Sequence, residues 1–527
     1  MATLENLPKE LLDMIANELR PCYKSLMSLS MTCQSLRPSA QIALHRDVVI
    51  TAPRFDVLND QNYDEDYCSR LEFFVRTLLG RPDLARRVRE LNISINNSTS
   101  VRDALRRDYR GDSDNHVDDG WDDIMSLCEN LLETASLSTG LGFNDPLWMK
   151  RIRKGKQLAF LGVVLTCTPK LQSLAIDRYI NWKSFDDTYE FTPSPISFRE
   201  MFGNLHRAKG FSMSWIPGLA RIGSLRTNCV LAPQFFTLPN LTSLEFGFRD
   251  EQYHWHPKDL RLPRPFDANN ATSLLKQMGI LVDEKCLRDS RQPEGDNFYR
   301  YTRQLPDLLP NLSSLDLLVQ PVSKDIFNDW YDAILRYGES YDCLVAKFRG
   351  QNIQTLKIDT SAISSARQAK RLKPIVSLTD FTKLRKIVAA QEAFFSVDEA
   401  FTVCKLPSSI EEIVIVDTTN PVSRWLKQIL ASIWEYPNLK SITLWTPYDP
   451  FDSPFDWRLG NQHDFPRDDE VIDSNSSTRR IDPPPQWKKD FLAASTDGSV
   501  WPDLEAAGIQ MKQRWRFDLR EIGWISL

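Results

Sequence analysis

The sequence lacks the clustered residues on which most catalytic and metal sites depend. Its nine cysteines include no Cys-x-x-Cys pair, and none of its six histidines belongs to a His-Glu-x-x-His arrangement. Gly-x-Ser-x-Gly, Gly-x-Gly-x-x-Gly and Gly-x-x-x-x-Gly-Lys-Ser/Thr are also missing. These absences argue against zinc, hydrolase and nucleotide chemistry, and unclustered cysteines in odd number argue against a disulfide framework. We therefore expect a non-enzymatic protein with reduced thiols, no cofactor and no metal.

Long apolar runs are missing as well. No run approaches the roughly 18 residues that a membrane-spanning helix needs. The formal net charge of −5 gives no bulk attraction to nucleic acid or to anionic membranes. The N-terminus is acidic and amphipathic, unlike a signal peptide. We therefore expect a cytoplasmic or nuclear protein that binds neither membrane nor nucleic acid.

The first fifty residues predict three short helices followed by an extended exit. Pro8 suits the first position of a helix, and Pro21 ends that helix. The apolar positions that recur at helical spacing are Leu11, Ile15 and Leu19, then Leu26, Leu29 and Cys33, then Ile42 and Leu44. So small a helical unit rarely builds a self-sufficient core. Its apolar surface must therefore be covered, either by the rest of the chain, as a helical cap, or by another protein.

This stretch resembles the F-box family. The likeness is carried by Leu7-Pro8-x-Glu10-Leu11-Leu12-x-x-Ile15-x-x-x-Leu19, by Leu26-x-x-Leu29-x-x-x-Cys33-x-x-Leu36, and by the exit LHRDVVI. F-box domains are helical modules that bind a Skp-type adaptor, which hangs from a cullin scaffold carrying a RING subunit. The resemblance implies that the adaptor-binding residues, which face the adaptor or support the surface that does, are Leu7, Pro8, Leu11, Leu12, Ile15, Leu26, Leu29 and Cys33.

A repeat appears beyond residue 167. Four segments share Pro-x-Leu-x-Ser-Leu/Ile-x-apolar: TPKLQSLAI (168–176), LPNLTSLEF (238–246), LPNLSSLDL (309–317) and YPNLKSITL (436–444). Weaker copies are NIQTLKI (352–358), TKLRKIV (382–388) and SIEEIVI (409–415). The pattern resembles an irregular leucine-rich repeat, which implies an α/β solenoid, or horseshoe, of short strands with helices on its convex side. The alternative is an unrelated α/β fold with coincidental Pro-Asn-Leu turns.

Alternate residues of such strands face the concave surface, where a target would bind. From these positions we predict substrate-binding roles for Glu245, Asp316, Lys357 and Trp445, with Trp445 as the large anchor. Two basic runs, 150–156 and 367–373, allow three interpretations: a nucleic-acid patch, solvated helix faces, or a site for a phosphorylated target segment. Solvated faces are favoured because the chain is acidic overall.

At 527 residues the chain is too long for one ordinary core. Short helices are predicted at 273–282 and 504–514. The predicted division is an F-box domain at 1–50, a linker at 51–70, a repeat domain at 71–447 with an insertion at about 248–304, a flexible Pro/Asp-rich segment at 448–486, and a C-terminal cap at 487–527.

Together these patterns predict the substrate-recognition subunit of a Skp-cullin-F-box ubiquitin ligase. Its partners would be the adaptor, through it the cullin and RING subunits, and a target protein held by the repeats. One alternative is an adaptor-bound scaffold that has no part in ubiquitylation. A second alternative is an enzyme whose site lies across the loops.

Overall fold

The computed structural model describes part of the chain, in two compact units. One unit comprises Met1–Cys286 with Ser290–Leu315, and the other comprises Leu287–Asp289 with Asp316–Leu527. The described residues are 7–20, 22–32, 34–50, 66–96, 119–139, 145–179, 196, 198–205, 211–231, 233–248, 273–283, 301–302, 305–320, 341–359, 373–396, 403–416, 418, 422–446 and 500–515. Both units combine helices with parallel strands, which confirms the predicted α/β class.

Three helices and a strand open the chain: α1 (Lys9–Glu18), α2 (Tyr23–Thr32), α3 (Arg37–Leu44) and β1 (Asp47–Ile50). Helix α1 starts directly after Pro8, whose carbonyl accepts hydrogen bonds from the N–H groups of Leu11 and Leu12 at 3.0 and 3.2 Å. Helix α3 carries Pro38 in its first turn, where the missing N–H breaks no helical hydrogen bond. The order of three helices and an extended exit is therefore as predicted.

The other elements alternate along the chain. The further α-helices span Asp66–Gly80, Pro82–Ala85, Asp119–Thr139, Pro146–Arg153, Gln157–Cys167, Phe198–Phe202, Leu305–Leu308, Tyr341–Val345, Gln391–Phe394, Val422–Ala431 and Val500–Ala506. The 3₁₀ helices span Met213–Trp215, Pro233–Thr237, Ala346–Phe348 and Ile433–Glu435. The strands are β2 (Glu90–Asn96), β3 (Ser173–Tyr179), β4 (Ser224–Thr227), β5 (Ser243–Phe248), β6 (Gln277–Asp283), β7 (Ser314–Gln320), β8 (Thr355–Asp359), β9 (Lys386–Ala390), β10 (Glu412–Val416), β11 (Ser441–Thr446) and β12 (Gln510–Trp515). No described helix combines the length and apolar character needed to cross a bilayer.

In the first unit, strands β1 to β6 lie side by side, parallel and in chain order. Alternate residues are buried: in β3, Leu174 and Ile176 are fully buried, whereas Ser173 and Ala175 are partly exposed. The register aligns one buried residue of each strand from β2 to β6, namely Leu91, Leu174, Leu225, Leu244 and Met278. This row lines the core because alternate side chains of a strand point to one face.

In the second unit, strands β8 to β12 follow the same parallel, chain-ordered arrangement. Their aligned buried residues are Leu356, Ile387, Ile413, Ile442 and Met511. Strand β10 departs from simple alternation, since Val414 and Val416 on its other face are only 4% exposed. This part of the second unit therefore buries apolar side chains on both faces of the strand, as parallel sheets often do.

Successive strands are joined by a recurring hydrogen-bond pattern. The carbonyl of Arg46, just before β1, accepts from the N–H groups of Arg89 and Glu90 at 2.8 and 3.0 Å. In the second unit the carbonyl of Arg385 accepts from the N–H of Glu411 at 2.7 Å and from that of the next residue at 2.8 Å. One carbonyl thus aligns the start of each following strand.

Asparagine gives the Pro-Asn-Leu segments a common contact. In each of the three segments, the asparagine lies three residues before its strand, and its amide donates to a carbonyl four residues before the preceding strand. The pairs are Asn240 to Ala220, Asn311 to Ser273 and Asn438 to Ser408, at 2.5, 2.8 and 3.0 Å. A contact that recurs in the same register argues against coincidental turns.

Two predicted helices are wrong. Residues 273–282 contain strand β6, which pairs in parallel with β5, so the strand array continues inside the predicted insertion at 248–304. Residues 504–514 contain only the end of the helix Val500–Ala506, followed by β12, which pairs with β11. The helix prediction at 273–282 failed because the apolar residues at 280–282 are buried in succession, and so short an apolar run fits either period. The helix Asp66–Gly80 also begins inside the predicted linker at 51–70, and the predicted flexible segment at 448–486 lies outside the described residues.

Candidate docking surface on the N-terminal helices

Helix α1 presents large apolar side chains on the face that does not pack inside the protein. Leu11 is 42% exposed and Met14 is 62% exposed. Leu7, partly buried, precedes Leu11 by four residues. Because residues three and four apart share a helix face, Leu11 and Met14 form a stripe on α1. The buried positions Leu12 and Ala16 lie on the other side of the helix.

Helix α2 repeats the arrangement at stricter spacing. Tyr23, Met27 and Met31 follow one another every four residues and are 63%, 42% and 77% exposed. Leu26, directly beside Met27, is 2% exposed. We call Leu11 and Met14 on α1, together with Tyr23, Met27 and Met31 on α2, the N-terminal stripes.

The core beneath the stripes is small. Ala16, Leu26 and Ala43 form a buried cluster, one residue from each helix, with partly buried Leu19, Leu29 and Leu44 around it. Helix α3 packs against both α1 and α2. Two of the three central residues are alanines, so little interior volume is available for larger side chains. The large residues of the stripes therefore remain in contact with solvent in the isolated chain.

The structure separates the predicted adaptor-binding residues into two groups. Pro8 and Leu11 are exposed, and Leu7, Ile15 and Leu29 are partly buried. Leu12 and Leu26 are 5% and 2% exposed, so of the two predicted roles, facing the adaptor or supporting the surface that does, only the supporting role fits them. The reason is that each belongs to the inward face of its helix. Cys33 lies outside the described residues.

Sequence reasoning missed most of the stripes. Met14, Tyr23, Met27 and Met31 were absent from the predicted set, although all four are exposed. A signal for them existed: Met14 follows Leu11 by three residues, and Tyr23, Met27 and Met31 are spaced by four. Each helix thus has two apolar faces, and of the stripe residues only Leu11 belongs to the predicted set.

An exposed thiol stands at the start of α2. The Ser25 hydroxyl donates a hydrogen bond to the Cys22 sulfur at 3.0 Å, and this bond lowers the pKa of the Cys22 thiol. Burial instead raises the pKa of Cys128 and of Cys404 to about 12. At neutral pH, Cys22 is therefore more reactive than the two buried thiols.

The predicted substrate-binding residues lie in the strands. Glu245, in β5 of the first unit, is partly exposed, and its Cγ occupies the space that a Cβ on Gly279 would need, 2.7 Å away. In the second unit Lys357 Nζ lies 3.2 Å from Asp316 Oδ2, with 16% and 26% of the two side chains exposed. These two residues form a cross-strand ion pair on the polar face of their strands.

Trp445 does not have the predicted exposure. It is 3% exposed and packs in a buried cluster with Val388, Val414 and Val416. Trp445 and Val416 lie on the strand face opposite the aligned core residues, since the register pairs Ile413 with Ile442. Trp445 is therefore a packing residue of the second unit, because its neighbours on that face are also apolar.

The remaining candidate features are a metal site and the two basic runs. Among the described residues, no group of three or more His, Cys, Asp or Glu side chains is placed to hold a metal ion. The basic run at 150–156 lies on the helix Pro146–Arg153 and the turn after it, where Arg153 pairs with Glu129 at 2.5 Å. Of the second run, residues 367–372 lie outside the described part of the chain.

The fold and surface define a class: an α/β protein of parallel, chain-ordered strands preceded by three helices with exposed apolar stripes. No protein-family model matches the sequence, and a search of the curated proteins finds no match.

Proposed function

We propose that this protein is the substrate-recognition subunit of a Skp-cullin-F-box ubiquitin ligase. Its N-terminal helices would act as an F-box that docks on a Skp-type adaptor. The strand region would act as an irregular leucine-rich-repeat-like domain that holds a target protein. The observation that carries the proposal is the pair of exposed apolar stripes on helices whose sequence resembles an F-box.

The stripes favour a protein partner on energetic grounds. Tyr23, Met14 and Met31 are each more than 60% exposed, within three helices that have their own small core. Burying one large apolar side chain fully is worth about 1.5–3 kcal/mol. A partner that covers the five residues would therefore bind with a substantially more favourable free energy, whereas in the free chain the five side chains stay in contact with water.

The proposed mechanism is proximity. The adaptor, cullin and RING subunits would hold a ubiquitin-charged enzyme near a target bound at the strand region. This arrangement raises the effective concentration of the target lysine without bond chemistry by this chain. The partly exposed polar positions Glu245, Asp316 and Lys357 remain the proposed target contacts.

The test is a pull-down of the full chain with a purified Skp-type adaptor, comparing wild type with Leu11→Asp/Met27→Asp. Both substitutions fall on exposed side chains, so folding should be retained. An unpaired carboxylate buried in an apolar interface is costly, and we expect affinity to fall on the order of a hundredfold or more.

The matched control is Lys9→Gln/Thr32→Asp, which changes the net charge by the same two units at exposed positions of α1 and α2 that are neither in the stripes nor three or four residues from a stripe residue. We expect this control to bind like wild type. An equal loss of adaptor binding in the stripe variant and in the control would point to a general effect of charge. Absence of wild-type binding would reject the F-box proposal and favour a helical cap.

A further inference from the structure

The methionines of this protein divide sharply by exposure. The chain has ten methionines, and the structure describes the side chains of nine. Three of these, Met14, Met27 and Met31, are 62%, 42% and 77% exposed, and all three belong to the N-terminal stripes. The other six are between 0% and 8% exposed: Met125, Met149, Met201, Met213, Met278 and Met511.

Exposure decides which methionines an oxidant reaches. A hydroperoxide transfers one oxygen to the thioether: its O–O bond breaks, an S–O bond forms, and the second oxygen leaves as water or an alcohol. The sulfur loses two electrons and the peroxide gains two. The product, methionine sulfoxide, is polar and chiral, and methionine sulfoxide reductases return it to the thioether.

We propose that Met14, Met27 and Met31 form an oxidative modification site that controls docking at the N-terminal stripes. The inference rests on the proposed function, since it assigns a regulation to that same surface. In the free chain the three sulfurs are open to hydroperoxide. In the complex a partner covers them, and each sulfoxide oxygen would then lie against apolar groups without a hydrogen-bond donor.

Oxidation at these positions changes the surface and leaves the fold intact. The core of the helical unit is built from Ala16, Leu26 and Ala43, and none of the three exposed methionines belongs to it. The six methionines whose oxidation would damage a core are shielded. Selectivity for the stripes therefore follows from burial.

Docking and oxidation also oppose each other. If the sulfoxides weaken adaptor binding, then a bound adaptor must make the conversion of thioether to sulfoxide less favourable by the same factor. A bound adaptor would also exclude the oxidant from the three sulfurs. Partner-bound protein should consequently be modified more slowly at Met14, Met27 and Met31 than free protein.

The experiment separates thioether from thiol chemistry. The purified full chain is treated with hydrogen peroxide, freed of peroxide with catalase, and then reduced with dithiothreitol. The last step restores Cys22, whose exposed thiol is also oxidised, but leaves methionine sulfoxides in place. Peptide mass spectrometry locates the sulfoxides, and affinity for an untreated Skp-type adaptor is then measured.

We expect sulfoxide to form first at the three stripe methionines and adaptor affinity to fall about tenfold or more. Methionine sulfoxide reductases should restore the affinity. The control variant Met14→Leu/Met27→Leu/Met31→Leu keeps apolar side chains of similar volume but has no thioether at these positions. Its own adaptor affinity, measured before treatment, should not change on exposure to peroxide. Prior binding of the adaptor should slow oxidation at the three positions.

Two results would overturn the inference while leaving the proposed function in place: unchanged affinity despite sulfoxide at all three positions, or equal oxidation of the six buried methionines. Failure of both the untreated wild type and the leucine variant to bind the adaptor is a different result. It would reject the proposed function and the regulation together.

Discussion

The N-terminal helices and the parallel strands place their large apolar side chains differently. On α1 and α2, five such residues are between 42% and 77% exposed. In the aligned rows of the two strand arrays, the apolar residues are at most 7% exposed. Among the described side chains of β2 to β12, none is a large apolar residue with an exposure near that of the stripes.

The difference has a geometric cause. A strand inside a parallel array has neighbouring strands on both edges and packed layers over its faces, so an apolar residue on either face is buried. Three helices of 10, 10 and 8 residues meet along one face each, and their outer faces remain open. Folding alone therefore explains the buried apolar residues of the strands but not the exposed stripes, which the proposed partner would cover.

The largest effect expected from this comparison is on Trp445. Trp445→Ala removes a side chain that is 3% exposed in a cluster with Val414 and Val416. It should lower the free energy of unfolding of the second unit by about 3–5 kcal/mol. Urea denaturation followed by tryptophan fluorescence measures the loss.

Trp434 provides the matched control, because it belongs to the same unit and is 76% exposed. Trp434→Ala should change stability by no more than about 0.5 kcal/mol. If the two alanine variants unfolded at the same urea concentration, the burial of Trp445 would be refuted and its role as an exposed anchor would return.

A smaller effect is expected inside the helical unit, where neighbouring residues of α2 face opposite ways. Leu26→Ala should destabilise the three helices by about 2–3 kcal/mol, because the side chain is 2% exposed and central to their core. Met27→Ala should leave their stability nearly unchanged and weaken adaptor binding. Hydrogen exchange of the α1–α3 amides reports the first quantity, and the pull-down reports the second.

If the stripes are a docking surface, Leu26→Ala mainly lowers stability and Met27→Ala mainly lowers adaptor binding. Loss of stability in Met27→Ala, or loss of binding in that variant only through unfolding, would make α2 an ordinary core helix. Retained binding by Met27→Ala at full stability would remove Met27 from the docking surface while leaving the fold as described.

Much of the fold could be predicted from the sequence because its strongest signals are periodic and local. The segments around Leu174, Leu244, Leu315 and Ile442 each end in a strand, and Pro8 and Pro38 stand at helix starts as their missing N–H groups require. Such signals depend only on residues close in the chain.

The candidate surface was less predictable because exposure depends on which neighbours arrive from elsewhere. Trp445 occupies a strand position that faces solvent in a simple repeat, yet Val388 on β9 and Val414 on β10 belong to the buried cluster on that face. Met14 and Leu12 look alike in a hydrophobicity pattern, but only the packing of α3 decides which one is inside. No single segment contains that information.

The smallest expected effect concerns two ion pairs on the strand face opposite the aligned core residues. Lys357→Met removes the pair with Asp316 at 3.2 Å, in which the lysine side chain is 16% exposed. Lys386→Met removes the pair with Glu412 at 3.0 Å, in which the lysine side chain is 37% exposed. Cross-strand pairs of this kind contribute about 0.2–1 kcal/mol to stability, and the more exposed pair should lie at the lower end.

Both losses of stability should shrink in about 1 M salt, where the screening length falls to about 3 Å, and the more exposed pair should be screened more completely. Urea denaturation measures the loss in free energy of unfolding for each variant. A larger loss for Lys386→Met than for Lys357→Met would contradict the assigned burial of Lys357, since these two pairs differ chiefly in their exposure to water.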